Sequence, residues 1–176
     1  VRIVGKKYNV EIRTEEQTPE EIEREKRRES LFILLDQAKE IYRKNLLADK
    51  DATAYLGSRN IHSDIIEKFG VGSAFSWNEL HTQMKNAGYN EKLMEDAGLI
   101  KEGNHEKYDY FRKRVVFPFM DIRGRVIGFT GRNINLSADK KTAKYLNSPE
   151  TELFKKSNAL FGLYQAKQSI SLNDKV

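Results

Sequence analysis

The apolar positions of this chain change period part-way along it. Leu31, Leu34, Leu35, Ala38, Ile41, Tyr42 and Leu46 recur at the i, i+3, i+4, i+7 spacing of a helix with one buried face. Thr18-Pro19-Glu20-Glu21 supplies a start signal ahead of them: a cap, Pro in the first turn, then acids facing the helix dipole. Shorter helices are expected next, with Asp51 capping 52–58 and Ser63 capping 64–69 before a left-handed stop at Gly70. Two more span 77–87 and 91–97, ended by Gly88 and Gly98. Arg114 to Met120 then turns β-branched and aromatic, Asp121-Ile122-Arg123-Gly124 reads as a turn, and Arg125 to Thr130 reads as a returning strand. Pro118 cannot donate to a ladder and predicts an edge or a bulge. Lys144 to Leu146 predicts a short third strand, Ser148-Pro149-Glu150 a turn or helix start, and 158–169 a last helix. Residues 1–19 read as a short extended piece and a polar tether, a flexible N-terminal arm. The fold expected is α+β: a helical layer packed on a small, mainly antiparallel β-sheet. Its helical part spans 20–105, its hairpin and basic part 106–147, and its C-terminal helical part 148–170.

Composition narrows the chemistry. The 176 residues contain no Cys, which excludes a disulfide framework, a cysteine-ligated metal and a thiol nucleophile. No apolar run is long enough to span a membrane, and the first residues lack a signal-peptide core. The chain starts at Val1, without an initiator Met, which suggests a piece cut from a longer protein. The formal net charge is +5. Between Lys107 and Lys144, ten Lys and Arg face only three Asp, so this segment carries +7 and the rest of the chain −2. A phosphate-binding face explains such a division, as does a solvated strand surface.

The candidate chemistry is cationic and planar. No P-loop or dinucleotide fingerprint is present; Gly128-Phe129-Thr130-Gly131 lies inside the hairpin rather than before a helix. His62, His81 and His105 stand apart, and no carboxylate pair marks the basic segment, so neither a catalytic residue nor a bound cofactor is expected within the chain. Arg112 and Arg114 are two apart and would share a strand face, with Arg123 and Arg125 of the same parity across the turn. Gly128 and Gly131 leave room for a backbone or a ligand, and Arg132 would reach past the second. Lys144 and Tyr145 add a cation and a stacking plane, and Asn147 adds donors and acceptors. Guanidinium forks with aromatic planes suit single-stranded nucleic acid or nucleotide phosphates.

These residues carry a resemblance. Tyr55-Leu56-Gly57-Ser58-Arg59, Phe69-Gly70-Val71-Gly72, Phe111 to Pro118, Arg123 to Arg132 and Lys144-Tyr145-Leu146-Asn147-Ser148-Pro149-Glu150-Thr151 follow one another in order, with Leu160-Phe161-Gly162-Leu163 after them. The chain resembles bacterial DnaG-type DNA primases over about residues 50–168, in the N-terminal subdomain of their RNA-polymerase core, which would occupy 20–176 here. It departs from the family at Asn60, where Gly is usual, at Thr130, where a small residue is common, and at Ser157, where Gly is frequent. Residues 6–13 resemble the exit from the family's zinc-binding domain.

The resemblance implies a DNA-templated RNA polymerase, a nucleotidyltransferase making primers for replication in the bacterial cytoplasm, at the nucleoid. Its magnesium-bearing toprim domain would follow Val176 and its zinc domain would precede this piece, so the chain alone is expected to be inactive. Implied partners are single-stranded DNA template, NTPs, the RNA–DNA product and, through a C-terminal region, the replicative helicase. Arg59, Arg112, Arg114, Arg132, Lys144, Tyr145 and Asn147 would line one wall of the cleft, with Arg132 and Lys144 the foremost template–nucleotide contacts. A stand-alone single-strand-binding module and a replication-protein adaptor are the competing readings.

Overall fold

The structure, a computed structural model, describes residues 18–104, 106–134 and 142–173. The expected arm therefore lies almost wholly outside the described residues, as do His105 and the polar loop at 138–141.

Helix α1 spans Pro19–Ala48. Thr18 and Glu21 form a capping box: the Thr18 hydroxyl accepts from the Glu21 amide at 3.3 Å, and the Glu21 carboxylate accepts from the Thr18 amide at 2.8 Å. Residues 18–27 are exposed, and burial begins at Leu31, where the apolar stripe begins. The expected stripe, Leu31 to Leu46, is buried throughout.

Helix α2 (Lys50–Ser58) is capped by Asp49 rather than Asp51; its carboxylate takes the Ala52 amide at 3.0 Å and also the Ser73 hydroxyl. Asp51 falls instead in the first turn, facing the dipole. Helix α3 (Ser63–Phe69) contains Ser63 as its first residue, with His62 at the cap position, and Gly70 ends it at φ 65° as expected. Strand β1 (Gly72–Ala74) was not anticipated; three residues are too few to show an alternation. Helices α4 (Glu79–Asn86) and α5 (Glu91–Asp96) are shorter than their patterns. Asp109 supplies the start of α4 from a distance, its carboxylate accepting the amides of Leu80 at 2.9 Å and His81 at 2.8 Å. Strands β2 (Ile100–Glu102) and β3 (Lys107–Asp109) pair as a small antiparallel sheet, also unanticipated.

The main sheet is antiparallel, in the order β1, β4 (Arg114–Met120), β5 (Val126–Asn133), β6 (Tyr145–Asn147). The β4–β5 turn is the expected one: the Gly124 amide donates to the Asp121 carbonyl at 2.9 Å, with Gly124 at φ 84°. Pro118 lies beyond the end of β1, which pairs only with 114–116, and a bulge follows between Phe119 and Met120. After β6 come a 3-10 turn (Lys156–Asn158) and helix α6 (Leu163–Asn173). Gly162, at φ 82°, separates the two, so the continuous helix expected over 158–169 does not form.

Two clusters sandwich this sheet. On one face α1 packs against Val116, Val126 and Phe129, with Tyr42 edge-on to Phe129 at 5.4 Å. Gly72 lets β1 cross under α1, since a Cβ there would come within 2.5 Å of the Tyr42 backbone. On the other face Leu46, Ala52, Leu56, Val71 and Val115 bring α2 and the end of α3 over β4. Successive residues of a strand point to opposite faces, so Val115 and Val116 serve different clusters.

Candidate nucleic-acid interface

The second face opens into a cleft of about 460 Å³, lined by Tyr55, Arg59, Ile61, Phe117, Thr130, Arg132, Lys144, Tyr145 and Phe161. Its floor follows from the register. Phe117 pairs with Thr130, Arg132 with Val115 on one side and Tyr145 on the other, and Thr130 with Asn147. These residues share one face, the one turned away from α1.

The far wall comes from the end of α2. Tyr55 and Arg59 are four apart on a helix and lie side by side, the Arg59 guanidinium 5.5 Å from the Tyr55 ring centre. Asn60 follows at φ 56°, with the Ile61 amide returning to the Leu56 carbonyl at 3.0 Å. Asn is among the few side chains that adopt this left-handed backbone readily, so it replaces Gly here at little cost. The apolar end is aromatic: Phe161 stacks on Phe69 at 5.9 Å and meets Phe117 and Phe119 edge-on.

Arg132 sits at the centre, 6% exposed. Its guanidinium lies 4.7 Å from the Tyr145 ring centre and 5.9 Å from that of Tyr55. Among the described residues, its Nε and Nη1 are buried with no hydrogen-bond partner. Leaving buried donors unmet costs about 1–3 kcal/mol each, so a small shift of the side chain toward an acceptor is favoured. Lys144 adds a second cation 5.9 Å from the Tyr145 ring, and Tyr145 itself is 60% exposed. A fork of N–H donors between two aromatic planes matches a phosphate flanked by bases.

The other expected site residues divide. Asn147 lies on the cleft face of the sheet, across from Thr130, but is not among the residues lining the cleft, and its backbone carbonyl accepts the Tyr110 hydroxyl at 3.0 Å. Arg112 stands outside the cleft, sandwiched between Trp77 at 4.0 Å and Tyr108 at 4.4 Å. Arg114 is buried on the opposite face, its guanidinium on the carbonyls of Ala143 at 2.9 Å, Gly131 at 3.2 Å and Lys144 at 3.5 Å. Arg112 and Arg114 thus share no face, because Lys113 between them turns at φ 50° and breaks the alternation. Arg123 and Arg125 lie by α1 in a separate depression; Arg125 covers Phe32 at 3.8 Å and pairs with Asp121 at 2.8 Å.

The two glycines admit side chains rather than a ligand. A Cβ on Gly128 would meet Phe154 at 2.9 Å, and one on Gly131 would meet Phe111 at 2.8 Å and the Arg114 Cδ at 2.9 Å. Sequence reasoning missed Tyr55, Phe117, Thr130 and Phe161 as cleft residues. Only Tyr55 carried a usable signal, its helical spacing from Arg59.

A family model, DNA primase catalytic core, N-terminal domain, matches residues 41–167. The chain belongs to this family. It is similar to a DNA primase of Aquifex aeolicus, 38% identical over 150 residues that cover 85% of this chain and 30% of that relative. Its fold is similar to the RNA polymerase domain of Mycobacterium tuberculosis primase DnaG in complex with double-stranded DNA. There the TM-score is 0.78 and the identity 34%, covering 83% of this chain and 47% of the other. A DnaG primase catalytic domain bound to ssDNA gives a TM-score of 0.70 at 39% identity, covering 82% and 45%. The chain spans under a third of the length of these curated primases, 30% of the Aquifex protein and 28% of a Salmonella typhimurium one.

The primase family implies metal ions, and the donors among the described residues do not fit one. Among the described residues, no group of three or more His, Asp or Glu comes together to hold a metal, and no helix is long and apolar enough to cross a membrane. The cleft walls are cationic and aromatic, a donor set suited to anions.

Proposed function

We propose that this chain is the part of a bacterial DNA primase that holds single-stranded template, or the phosphates of an incoming NTP, along one wall of the priming cleft. The observation carrying this reading is the Arg132 guanidinium, buried by Tyr55 and Tyr145 with two nitrogens unmet among the described residues. Arg59 and Lys144 extend the positive wall, Asn147 shares its sheet face across from Thr130, and the Trp77–Arg112–Tyr108 sandwich offers a second stacking ledge. Support comes from the similar DnaG catalytic domain bound to ssDNA. In this reading the nucleotidyl transfer and its magnesium belong to a toprim domain, and zinc to a separate domain. The RNA–DNA product and the helicase are partners of the whole enzyme, which works in the bacterial cytoplasm at the nucleoid.

Fluorescence anisotropy of a labelled single strand with this chain, at two salt concentrations, tests the site. Binding weakens as salt rises, and Arg132→Ala and Lys144→Ala each weaken it roughly tenfold, the range of one charged hydrogen bond. Each variant also lowers the slope of log K against log salt by about 0.7, one phosphate contact on a single strand. Wild-type binding by both variants, with circular dichroism unchanged, removes these residues from the site.

A further inference from the structure

We infer that Arg114 is a positioning residue: it acts on the ligand only through the backbone that presents Lys144 and Tyr145. This rests on the reading of the cleft as a single-strand site. Arg114 lies on the α1 side of the sheet, opposite the face that carries Arg132, and is 6% exposed. Its side chain crosses β5 at Gly131, where the missing Cβ leaves its passage open. Beyond that strand its two terminal nitrogens take three backbone carbonyls: Gly131 in β5, then Ala143 and Lys144 just before β6.

The anchored stretch needs a tie. Among the described residues, β6 pairs with β5 over three residues and stands at the edge of the sheet. The Asn133 amide adds one bond to the Lys144 carbonyl at 3.0 Å. The Arg114 guanidinium therefore clamps the entry of an edge strand from behind. The residues it clamps project the cation and the exposed ring into the cleft in front. Planar, fixed forks suit this work, and a Lys, with one flexible ammonium, cannot reproduce three carbonyl bonds in one plane. Burial pushes the Arg114 pKa down from its ordinary value, and a guanidinium stays charged inside a protein.

A direct phosphate contact and a clamp give different outcomes. Lys is a good phosphate ligand as a point charge, so Arg114→Lys would keep most affinity if the residue touched nucleic acid. As a clamp, Arg114→Lys and Arg114→Gln both lose about tenfold in anisotropy titrations of this chain with a labelled oligodeoxythymidine. A double-mutant cycle sharpens this. With Lys144→Ala and Tyr145→Ala already in place, Arg114→Gln costs less than about twofold more, because its route to the ligand is gone. Against Arg59→Ala, on the other wall, its effect adds in full.

Backbone hydrogen exchange of the ligand-free chain is an independent arm. In Arg114→Lys the peptide covering 142–148 exchanges faster while α1 is unchanged. Full additivity in the cycle, or unaltered exchange over 142–148, overturns the inference. If wild-type chain binds no single strand, the reading of the cleft fails, and the exchange result alone still decides whether Arg114 is the clamp. If Arg114→Gln does not fold, Arg114→Lys carries both arms.

Discussion

Two buried arginines on neighbouring strands differ in what meets their N–H groups. Arg114 spends its guanidinium on three carbonyls, whereas two buried Arg132 nitrogens have no hydrogen-bond partner among the described residues. Composition treats the two alike, and strict alternation would have put Arg112 with Arg114. The single turned residue, Lys113 at φ 50°, sends them apart. Arg132 and Lys144 were legible as cleft residues because they fall in the basic segment, Arg132 on β5 and Lys144 just ahead of the strand paired with it. The burial that leaves two Arg132 nitrogens without a hydrogen bond among the described residues depends on Tyr55 of α2, far away in sequence, and so was not. Tyr145 permits a clean residue-level test. Its ring lies near both Arg132 and Lys144. Tyr145→Phe keeps a stacking plane and should bind single strands about as wild type. Tyr145→Ala should lose about 1–3 kcal/mol of affinity, measured by anisotropy. Equal loss in both variants would show that the hydroxyl, not the plane, matters.

At the scale of elements, long patterns were readable and short ones were not. The stripe from Leu31 to Leu46 spans several turns, and the β4–β5 hairpin carries its own turn residues. β1, β2 and β3 have three residues each, and only their partners make them strands. Helix α4 illustrates the same limit, since its N-terminal amides are met by Asp109 of β3. Burial, foremost, raises the Asp109 pKa to about 6, Glu79 adding to the rise and the amides of His81 and Leu80 opposing it. Its unfolded value is near 3.9, so the folded state binds the proton more tightly. Asp109 therefore contributes stability that is fully present below about pH 4 and lost as pH rises through about 6. Urea unfolding of wild type should show stability falling across that window, and Asp109→Asn should lack the fall. Parallel pH profiles would show that the carboxyl does not titrate there.

For the whole molecule, the charge division acquires a location. The segment at 107–144 carries +7 against a total of +5. Of its described cations, Arg132 and Lys144 line the cleft, Arg112 stands by Trp77, Arg123 and Arg125 lie in the depression beside α1, Arg114 is buried on backbone carbonyls, and Lys107 pairs with Glu91 and Glu95. Net charge alone therefore overstates the size of the binding face. Magnesium, template and NTPs added to this chain by itself should yield no primer on a denaturing gel. Robust synthesis would place the metal site within it. The sheet also works as a partition. Cleft side chains on one face can change with little repacking of the α1 core behind them, so affinity and stability are separable under mutation. One-residue insertions in β5 would end that independence. Such a slip would send Arg132 into the α1 core and Phe129 into the cleft, spoiling both properties together, whereas a two-residue insertion would restore the parity. For this fold, indels should be counted modulo two.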